Sequence, residues 1–551
     1  MNYKSILFSL AAAAVLLTAS CSGNKSAHIS PNGVDLDEQQ LYIGEDIAVA
    51  QTQYGKVRGY ILRNIYTFYG IPYGAPTGGA NRFMPPQKPE PWDGVRAAVF
   101  YSESAPQVVS YGRNPESYSA FVDHWNYDQY GEDCLRLNVW TPQLDAKKRP
   151  VLVWLHGGGF SSGNSVEQDG YNGENLSRYG DIVFVSVNHR LNAFGYTDFA
   201  GVGGEKYKHS GNVGMLDIIA ALQWVHDNIA AFGGDPGNVT IMGQSGGGSK
   251  VSIVAAMPAA KGLVHKGVAL SGNSVQGANK EYAEGLGAYI VKKAGLKPSE
   301  IDKLQQMPWE EYYALAMAAS REYAQIAQPR GGRGGFSPVG DGVDLPAGTF
   351  FDPNDPNVPD IPLLYCTTFH EQNPDRDRPE LENITLEGVI EQMTPTYGEK
   401  AADIVNAYAK TFPNVAPIEL WAMLRSTRTN VVRSANVKLG QKSPVYMAWF
   451  GWKAPIFDGR IRAFHCSDIS FWFHNTDLMI THNGGGKAPR ELSEKMSDAL
   501  LAFMRTGNPN CKSLPEWPEY TAENGEVMIL DTVCEVKNDP DRAARALIEN
   551  R

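Results

Sequence analysis

Motifs that would indicate metal or nucleotide chemistry are absent from the sequence. It contains no Cys-x-x-Cys pair and no His-Glu-x-x-His motif, and Gly486-Lys487 is followed by Ala488 where a Walker-type phosphate loop requires Ser or Thr. The formal net charge is -11, and no patch rich in Lys and Arg is present to attract phosphates. The sequence therefore predicts a protein with no metal ion, no cofactor and no nucleic-acid partner.

Cysteine is also scarce. Apart from Cys21, five cysteines are scattered over the chain: Cys134, Cys366, Cys466, Cys511 and Cys534. Because this number is odd, at most two disulfides can form. The sequence does not indicate a fold that depends on disulfides.

No apolar run near the N-terminus is long enough to span a bilayer as a helix. Residues 6–17 are apolar, follow Lys4 and lead through small residues to Cys21. This pattern is typical of a bacterial lipoprotein signal, so we predict a signal peptide at residues 1–20 and lipidation of Cys21. Residues 21–46 are polar and predict a flexible tether. We expect an exported protein that is lipid-anchored to the cell envelope, at the outer membrane or the periplasmic face, or otherwise a secreted or periplasmic one.

Beyond the tether, strand-like and helix-like segments alternate. Residues 150–155 form a continuous apolar run of the kind found in strands buried on both faces. Alternation of this kind predicts an α/β fold with a large, mainly parallel central sheet flanked by helices. We expect a single domain over residues 47–540, with a helical insertion at about 273–335 that covers the active site like a lid.

The motif Gly243-x-Ser245-x-Gly247 follows a short β-branched run and precedes a helix-compatible apolar segment. A serine on such a sharp strand-to-helix turn needs small neighbours, because the incoming strand and the outgoing helix pass close together. A structural glycine turn is the alternative for a motif this short. The helix, strand, turn and helix order around it favours Ser245 as a nucleophile.

A serine nucleophile also needs hydrogen-bond donors for the oxyanion. His156-Gly-Gly-Gly-Phe160 comes directly after the buried strand, and consecutive glycines can turn several backbone N–H groups toward one point. Together with the amide that follows the nucleophile, the candidate donors are Gly158, Gly159 and Gly246.

The base should follow the nucleophile and the acid in sequence. Three histidines meet this condition: His465, His474 and His482. Spacing favours His465 without excluding the others. For the acid, Glu371 lies just beyond a predicted strand and Asp341 is its competitor, whereas Asp468 is better placed to orient the base locally or to begin a helix.

Several motifs together resemble the type-B carboxylesterase family of α/β-hydrolases. They are residues 232–247 around the serine, Glu132-Asp-Cys-Leu135, Gly70-Ile-Pro-Tyr73, Pro91-Trp-Asp-Gly-Val95, His156-Gly-Gly-Gly-Phe160 and Val187-Asn-His-Arg-Leu191. The resemblance runs from about Val57 to Tyr520. It implies the α/β-hydrolase fold, with Ser245 as nucleophile, Glu371 as acid, His465 as base and the three glycines as the oxyanion hole.

The sequence departs from the family pattern at specific positions. Gln244 stands where the family usually has Glu, and Gly246 where Ala is common. His370 and Gln372 replace the usual Asp and Gly beside the acid. The cysteine that usually pairs with Cys134 is missing, so the resemblance implies a free, buried thiol.

These residues predict a serine carboxylic-ester hydrolase that forms an acyl-enzyme on small or medium esters. Two other hypotheses remain at this stage. One is a non-catalytic recognition or adhesion protein on the same fold. The other is an envelope glycan-binding lipoprotein that stacks sugars on the aromatic segment at residues 118–130. The sequence does not predict an oligomeric state.

Overall fold

The computed structural model describes residues 40–108, 129–329 and 334–549. Cys21 and the predicted signal peptide lie outside these ranges, as do most of the predicted tether and of the aromatic segment at 118–130. Within the described ranges there are fifteen strands, which are β1 (Leu41–Tyr42), β2 (Val49–Thr52), β3 (Gly55–Arg58), β4 (Tyr60–Leu62), β5 (Ile65–Pro72), β6 (Val95–Ala97), β7 (Arg136–Thr141), β8 (Arg149–Leu155), β9 (Val183–Val187), β10 (Gly234–Gln244), β11 (Lys266–Leu270), β12 (Leu363–Thr368), β13 (Val445–Phe450), β14 (Glu526–Leu530) and β15 (Glu535–Asn538).

The same ranges contain sixteen α-helices. They are α1 (Glu174–Gly180), α2 (Asn192–Tyr196), α3 (Ala200–Gly203), α4 (Val213–Asn228), α5 (Gly246–Val254), α6 (Lys280–Lys293), α7 (Asp302–Gln306), α8 (Trp309–Ile326), α9 (Leu386–Tyr397), α10 (Ala401–Thr411), α11 (Pro417–Leu424), α12 (Arg428–Lys438), α13 (Ile469–Trp472), α14 (Ile480–Asn483), α15 (Lys487–Thr506) and α16 (Arg542–Glu549).

In the described part of the chain, twelve strands form one large sheet in the order β1-β4-β5-β7-β9-β8-β10-β11-β12-β13-β14-β15. The seven strands from β9 to β14 in that order run parallel, and antiparallel strands extend the sheet at both edges. Strands β2, β3 and β6 form a small separate sheet. The prediction of a large, mainly parallel sheet is confirmed.

Strand β8 shows why the sheet needs helices on both faces. Val151 and Val153 pack into the apolar core on one face, whereas Leu152 and Trp154 pack into the core on the other. All four side chains are fully buried. Because side chains alternate along a strand, an uninterrupted apolar run requires a cover on each side.

The parallel arrangement positions the candidate site. Strands β8, β10, β11, β12 and β13 are consecutive neighbours in the sheet, and their carboxyl ends lie at one edge. The glycine loop follows β8, Ser245 follows β10, and Glu371 lies three residues after β12. Segments that are distant in sequence therefore meet above this edge, as is usual for ligand sites in open α/β sheets.

Helices α6, α7 and α8 occupy the region predicted as a helical insertion, and α8 packs on α6. The prediction ended the domain at residue 540, whereas α16 lies beyond it and packs against α10. Arg545 of α16 forms ion pairs with Asp539 and Asp541. Among the helices in the described ranges, none has the length and apolar character needed to cross a membrane.

Candidate active site

Ser245 lies on a strained turn between β10 and α5. Its backbone has φ 57° and ψ -121°, a conformation that a residue with a side chain rarely adopts. The amide of Ser245 donates a hydrogen bond of 2.8 Å to the carbonyl of Leu270 at the end of β11, and its carbonyl accepts one of 3.1 Å from Ser249 in α5. The side chain is partly exposed. The turn therefore presents the hydroxyl at the edge of the sheet.

The two glycines that flank Ser245 are required by close backbone approach. A Cβ at Gly243 would lie 2.4 Å from the carbonyl carbon of Gly247, and a Cβ at Gly247 would lie 2.0 Å from the carbonyl oxygen of Leu155. Both distances are far below van der Waals contact. The motif Gly-x-Ser-x-Gly is thus explained by packing of the turn on itself and on β8.

The glycine loop after β8 packs directly on the turn. Gly158 and Gly159 have φ of 75° and 64°, in the left-handed region that favours glycine. A Cβ at Gly246 would lie 2.2 Å from the carbonyl oxygen of Gly159 and 2.5 Å from its amide nitrogen. The glycine at 246, where Ala is common in the family pattern, is therefore what allows the loop to lie this close.

His465 and Glu371 form a direct pair. The distance from His465 Nδ1 to Glu371 Oε2 is 2.5 Å. The Glu371 carboxyl is fully buried, whereas the His465 side chain is 24% exposed. The imidazole therefore has one nitrogen held by a buried carboxylate and remains accessible from outside.

Each partner shifts the pKa of the other. Burial by itself raises the pKa of Glu371, but the hydrogen bond and the charge of His465 outweigh it and hold that pKa below its ordinary value. Burial by itself lowers the pKa of His465, and the hydrogen bond and negative charge of Glu371 raise it above its ordinary value. The pair is therefore arranged to stabilise an imidazolium.

Backbone contacts hold the segments of Glu371 and His465 together. The amide of His465 donates to the Glu371 carbonyl at 3.3 Å, and the amide of His370 donates to the Ala463 carbonyl at 3.0 Å. The second carboxyl oxygen of Glu371, Oε1, accepts a 2.9 Å bond from the amide of Thr368. With both carboxyl oxygens bonded, the orientation of Glu371 is determined.

The other predicted site residues lie elsewhere. His474 stacks on Tyr179 with ring centroids 4.2 Å apart, and burial lowers the pKa of His474 to about 4. His482 packs edge-on against Phe464. Asp341 accepts the backbone amides of the following turn and the side chain of Asn212. In the described part of the chain, none of the three is hydrogen-bonded to His465 or Glu371.

Asp468 lies close to the pair without joining it. It is buried, and Trp472 Nε1 donates to its Oδ2 at 3.3 Å. Burial and the neighbouring Glu371 charge raise the pKa of Asp468 to about 7. It is the residue before α13 but does not cap that helix with its side chain. The sequence predicted that Asp468 orients the base locally or begins a helix; it precedes α13, and its side-chain hydrogen bond is with Trp472.

Gln244, the residue before Ser245, contacts His465. Its Nε2 lies 3.2 Å from Nε2 and 3.4 Å from Nδ1 of His465. Nearly equal distances place the amide over the imidazole ring rather than along one nitrogen lone pair. The Cys466 thiol donates to Gln244 Oε1 at 3.2 Å, which turns the amide NH2 toward the ring. Within the described residues, His465 makes its polar side-chain contacts with Glu371 and Gln244 and none with Ser245 Oγ.

Two further basic residues were not found by sequence reasoning. Lys250 of α5 is fully buried, and its ammonium donates to the carbonyl of His156 at 3.0 Å. Arg462 is 2% exposed and binds Asp375 and Glu382, both in the segment after Glu371. For Lys250 the available sequence signal was a lysine inside an apolar helix. Arg462 had no such signal, because its partners are about 80 or more residues away in sequence.

Among the described residues there is neither a metal-binding cluster nor a disulfide. The described residues contain no group of three or more His, Cys, Asp or Glu side chains arranged to hold a metal ion. Five cysteines in these ranges are free, including the fully buried Cys134. The prediction of a free, buried thiol at Cys134 is confirmed.

Comparison with known proteins agrees with this architecture. A model of the carboxylesterase family matches residues 46–547. The sequence is 33% identical over 510 residues to a para-nitrobenzyl esterase of Bacillus subtilis, covering 90% of this chain and 97% of the relative. It is 30% identical over 504 residues to a phenmedipham hydrolase of Pseudarthrobacter oxydans, covering 89% and 97%.

Solved structures show the same relationship. An esterase from Clostridium hathewayi that can hydrolyse aliphatic aromatic polyesters matches with a TM-score of 0.76 at 35% identity, covering 93% of this chain and 99% of that chain. A carboxylesterase of Geobacillus stearothermophilus matches with a TM-score of 0.73 at 31% identity, covering 91% and 99%. The fold is that of an α/β-hydrolase. The chain belongs to the carboxylesterase family, and it is a carboxylic-ester hydrolase.

Proposed function

We propose that the protein hydrolyses small or medium carboxylic esters through an acyl-enzyme formed on Ser245. In this proposal His465 is the general base, Glu371 orients it, and the amides of Gly158, Gly159 and Gly246 form the oxyanion hole. The observation that supports it most directly is the 2.5 Å contact of His465 Nδ1 with a buried carboxylate, beside a serine on a strained turn.

Acylation begins when Ser245 Oγ attacks the ester carbonyl carbon. His465 Nε2 takes the hydroxyl proton, and the carbonyl oxygen becomes an oxyanion that the glycine amides stabilise. The intermediate collapses with cleavage of the bond to the alcohol oxygen, which leaves with the proton from His465. The raised pKa of His465 and the negative charge of Glu371 favour the transient imidazolium.

Deacylation repeats these steps with water. His465 takes a proton from a water molecule as its oxygen attacks the acyl carbon, and it returns that proton to Ser245 Oγ when the acid is released. The Ser245 hydroxyl must approach His465 Nε2 for either step. Such hydrogen bonds often tighten only when substrate is bound.

Replacement of the nucleophile tests the proposal. Ser245→Ala should abolish hydrolysis of a short-chain aryl ester and labelling by a fluorophosphonate probe. Ser299→Ala, which changes an exposed serine distant in sequence from the turn, is the matched control and should retain both. Near wild-type turnover by folded Ser245→Ala protein would refute the role of Ser245.

The relatives suggest where a substrate search should begin. Their names refer to para-nitrobenzyl esters, to phenmedipham and to aliphatic aromatic polyesters. We propose that this chain also acts on esters with an aromatic group on one side. A series that varies acyl length and alcohol independently, measured as kcat/KM, would identify the preferred class, and uniformly higher rates on purely aliphatic esters would contradict the proposal.

We also propose that the chain is exported and anchored to the cell envelope through a lipidated Cys21. The basis is the sequence before residue 40, which lies outside the described part of the chain. Cys21→Ser should move the protein from the membrane fraction to the soluble fraction without loss of specific activity. An unchanged distribution would contradict the anchor.

The two non-catalytic hypotheses are not favoured, because the chain matches the carboxylesterase family over residues 46–547. Most of the aromatic segment that suggested glycan binding lies outside the described residues, so its geometry adds no support.

A further inference from the structure

A cavity of about 380 Å³ lies beside the serine turn. Its walls include Phe160, which ends the glycine loop, and residues 273–278, which follow β11. Gly272 touches the turn, since a Cβ there would lie 1.8 Å from the Ser245 carbonyl oxygen, and Ser249 Oγ donates to the Asn273 carbonyl at 2.9 Å. The cavity is therefore placed to receive part of a substrate whose ester carbon is at Ser245, and its volume suits a small organic group.

The lining of this cavity is polar and basic. Its side chains include hydroxyl and amide groups, namely Asn273, Ser274, Gln276, Ser337 and Asn430. Among the described residues that line it, Arg433 is the one charged residue and none is Asp or Glu. Most esterase substrates are neutral and apolar, and such groups gain little from a polar wall that must be desolvated to receive them.

Among the described residues, Arg433 has no counter-ion. It is exposed, and it forms no hydrogen bond or ion pair with any described residue. Arg428, five residues earlier on α12, differs because it is buried and its Nε lies 2.9 and 3.0 Å from the carboxyl oxygens of Asp541. The chain carries 60 acidic residues against 49 Lys and Arg, so acidic partners are not in short supply. The guanidinium at 433 is left for an anion from outside.

We propose that this cavity binds a carboxylate carried by the substrate, so that the enzyme prefers esters with a free carboxylate, such as hemiesters of dicarboxylic acids, over neutral esters of the same shape. The inference rests on the proposed function of Ser245. Arg433 would bind the carboxylate with two parallel N–H donors. The Asn273 amide already donates to the Asn430 carbonyl and to Ser434 Oγ, so the other amide and hydroxyl side chains of the lining would complete the hydrogen bonds of the carboxylate. Arg433 is then a specificity-determining residue, remote from the bond that is cleaved.

The carboxylate can belong to the acyl group or to the alcohol, and two substrate pairs separate these sources. Monoethyl succinate carries it on the acyl side, and ethyl levulinate replaces it with a methyl ketone. Acetoxyacetate carries it on the alcohol side, and acetoxyacetone is its neutral counterpart. Preference for the anionic member of only one pair assigns the cavity to that side of the ester.

The test compares kcat/KM for these esters in four proteins. They are the wild type, Arg433→Gln, Arg433→Lys and Arg321→Gln, a control that removes an exposed arginine of α8 outside the cavity. Arg433→Gln should lower kcat/KM for the preferred anionic ester by about tenfold and change that for its neutral partner by less than about twofold. Arg433→Lys should retain part of the preference, and Arg321→Gln should retain all of it.

Salt gives an independent readout. Raising NaCl from about 50 to about 500 mM should lower kcat/KM for the anionic ester in the wild type and leave the neutral ester unchanged. Equal effects of Arg433→Gln on both members of each pair, or a wild-type preference for the neutral members, would overturn the inference. Hydrolysis of a short-chain aryl ester but of none of these four esters would likewise overturn the inference. If the wild type hydrolyses neither these esters nor the aryl ester, or Ser245→Ala hydrolyses them as well as the wild type, it is the proposed function that fails.

Discussion

Lys250 is a buried lysine, and its titration should make the free energy of unfolding depend on pH. It lies on α5, shortly after Ser245, and is fully buried. Within the described part of the chain, its ammonium has one hydrogen-bond acceptor, the His156 carbonyl at 3.0 Å. The imidazoles of His156 and His189 face it, and burial lowers the pKa of each well below the ordinary value. Glu167 is the acidic group that acts on it.

Burial lowers the pKa of Lys250 from 10.5 to about 7. Between these two values the unfolded chain holds one proton more than the folded chain at this position. The free energy of unfolding therefore rises with pH, by about 1.4 kcal/mol per unit for this group. Below pH 7 the cost of the buried charge is present in full, and above pH 10.5 it is gone.

Lys250→Met replaces the titrating group with an apolar chain of similar length. We expect the variant to be more stable than the wild type at pH 7.5, and its advantage to shrink by about 3 kcal/mol by pH 9.5, because the wild type gains about 1.4 kcal/mol per unit. Urea unfolding followed by tryptophan fluorescence at three pH values between these limits measures the difference. Other groups that titrate in this range are common to both proteins and cancel.

Lys292→Met changes an exposed lysine on α6 and is the matched control. Its stability difference from the wild type should not vary with pH. A difference for Lys250→Met that is also constant from pH 7.5 to 9.5 would show that the folded protein keeps Lys250 charged. The argument that burial governs this lysine would then be wrong.

Three further substitutions test the site. Gly246→Ala should lower kcat at least tenfold, because the new Cβ displaces the backbone of Gly159, and unchanged kcat would show that the loop is free to move. Gln244→Glu places a carboxylate against His465 and should raise the pKa of that imidazole, moving the acidic limb of the kcat/KM profile up by roughly one pH unit; a limb that stays in place would contradict the contact. Arg462→Gln leaves a buried carboxylate unpaired and should destabilise the fold by about 3 kcal/mol in urea unfolding, whereas a loss under about 1 kcal/mol would refute the pairing.

Structural features that depend on residues adjacent in sequence were predictable from the sequence. The glycines around Ser245, and Gly158 in the glycine loop, mark places where a Cβ would lie within 2.5 Å of a neighbouring backbone atom, and no other residue type meets that requirement. The unbroken apolar run of β8 requires helices on both faces of a parallel sheet, and the structure has them. Local chemistry therefore determined the fold class, the serine turn and the glycine loop.

Pairings between distant segments were decided by the tertiary structure. Spacing left three histidines and two acids open, and the family resemblance selected His465 and Glu371. The pair that the fold brings within 2.5 Å is separated by 94 residues. The contact of Gln244 with His465 spans 221 residues, and Arg433 shares a cavity with described residues from four other segments. A side chain's burial and partners depend on which strand ends meet at the sheet edge, and no residue carries that information in its own neighbourhood.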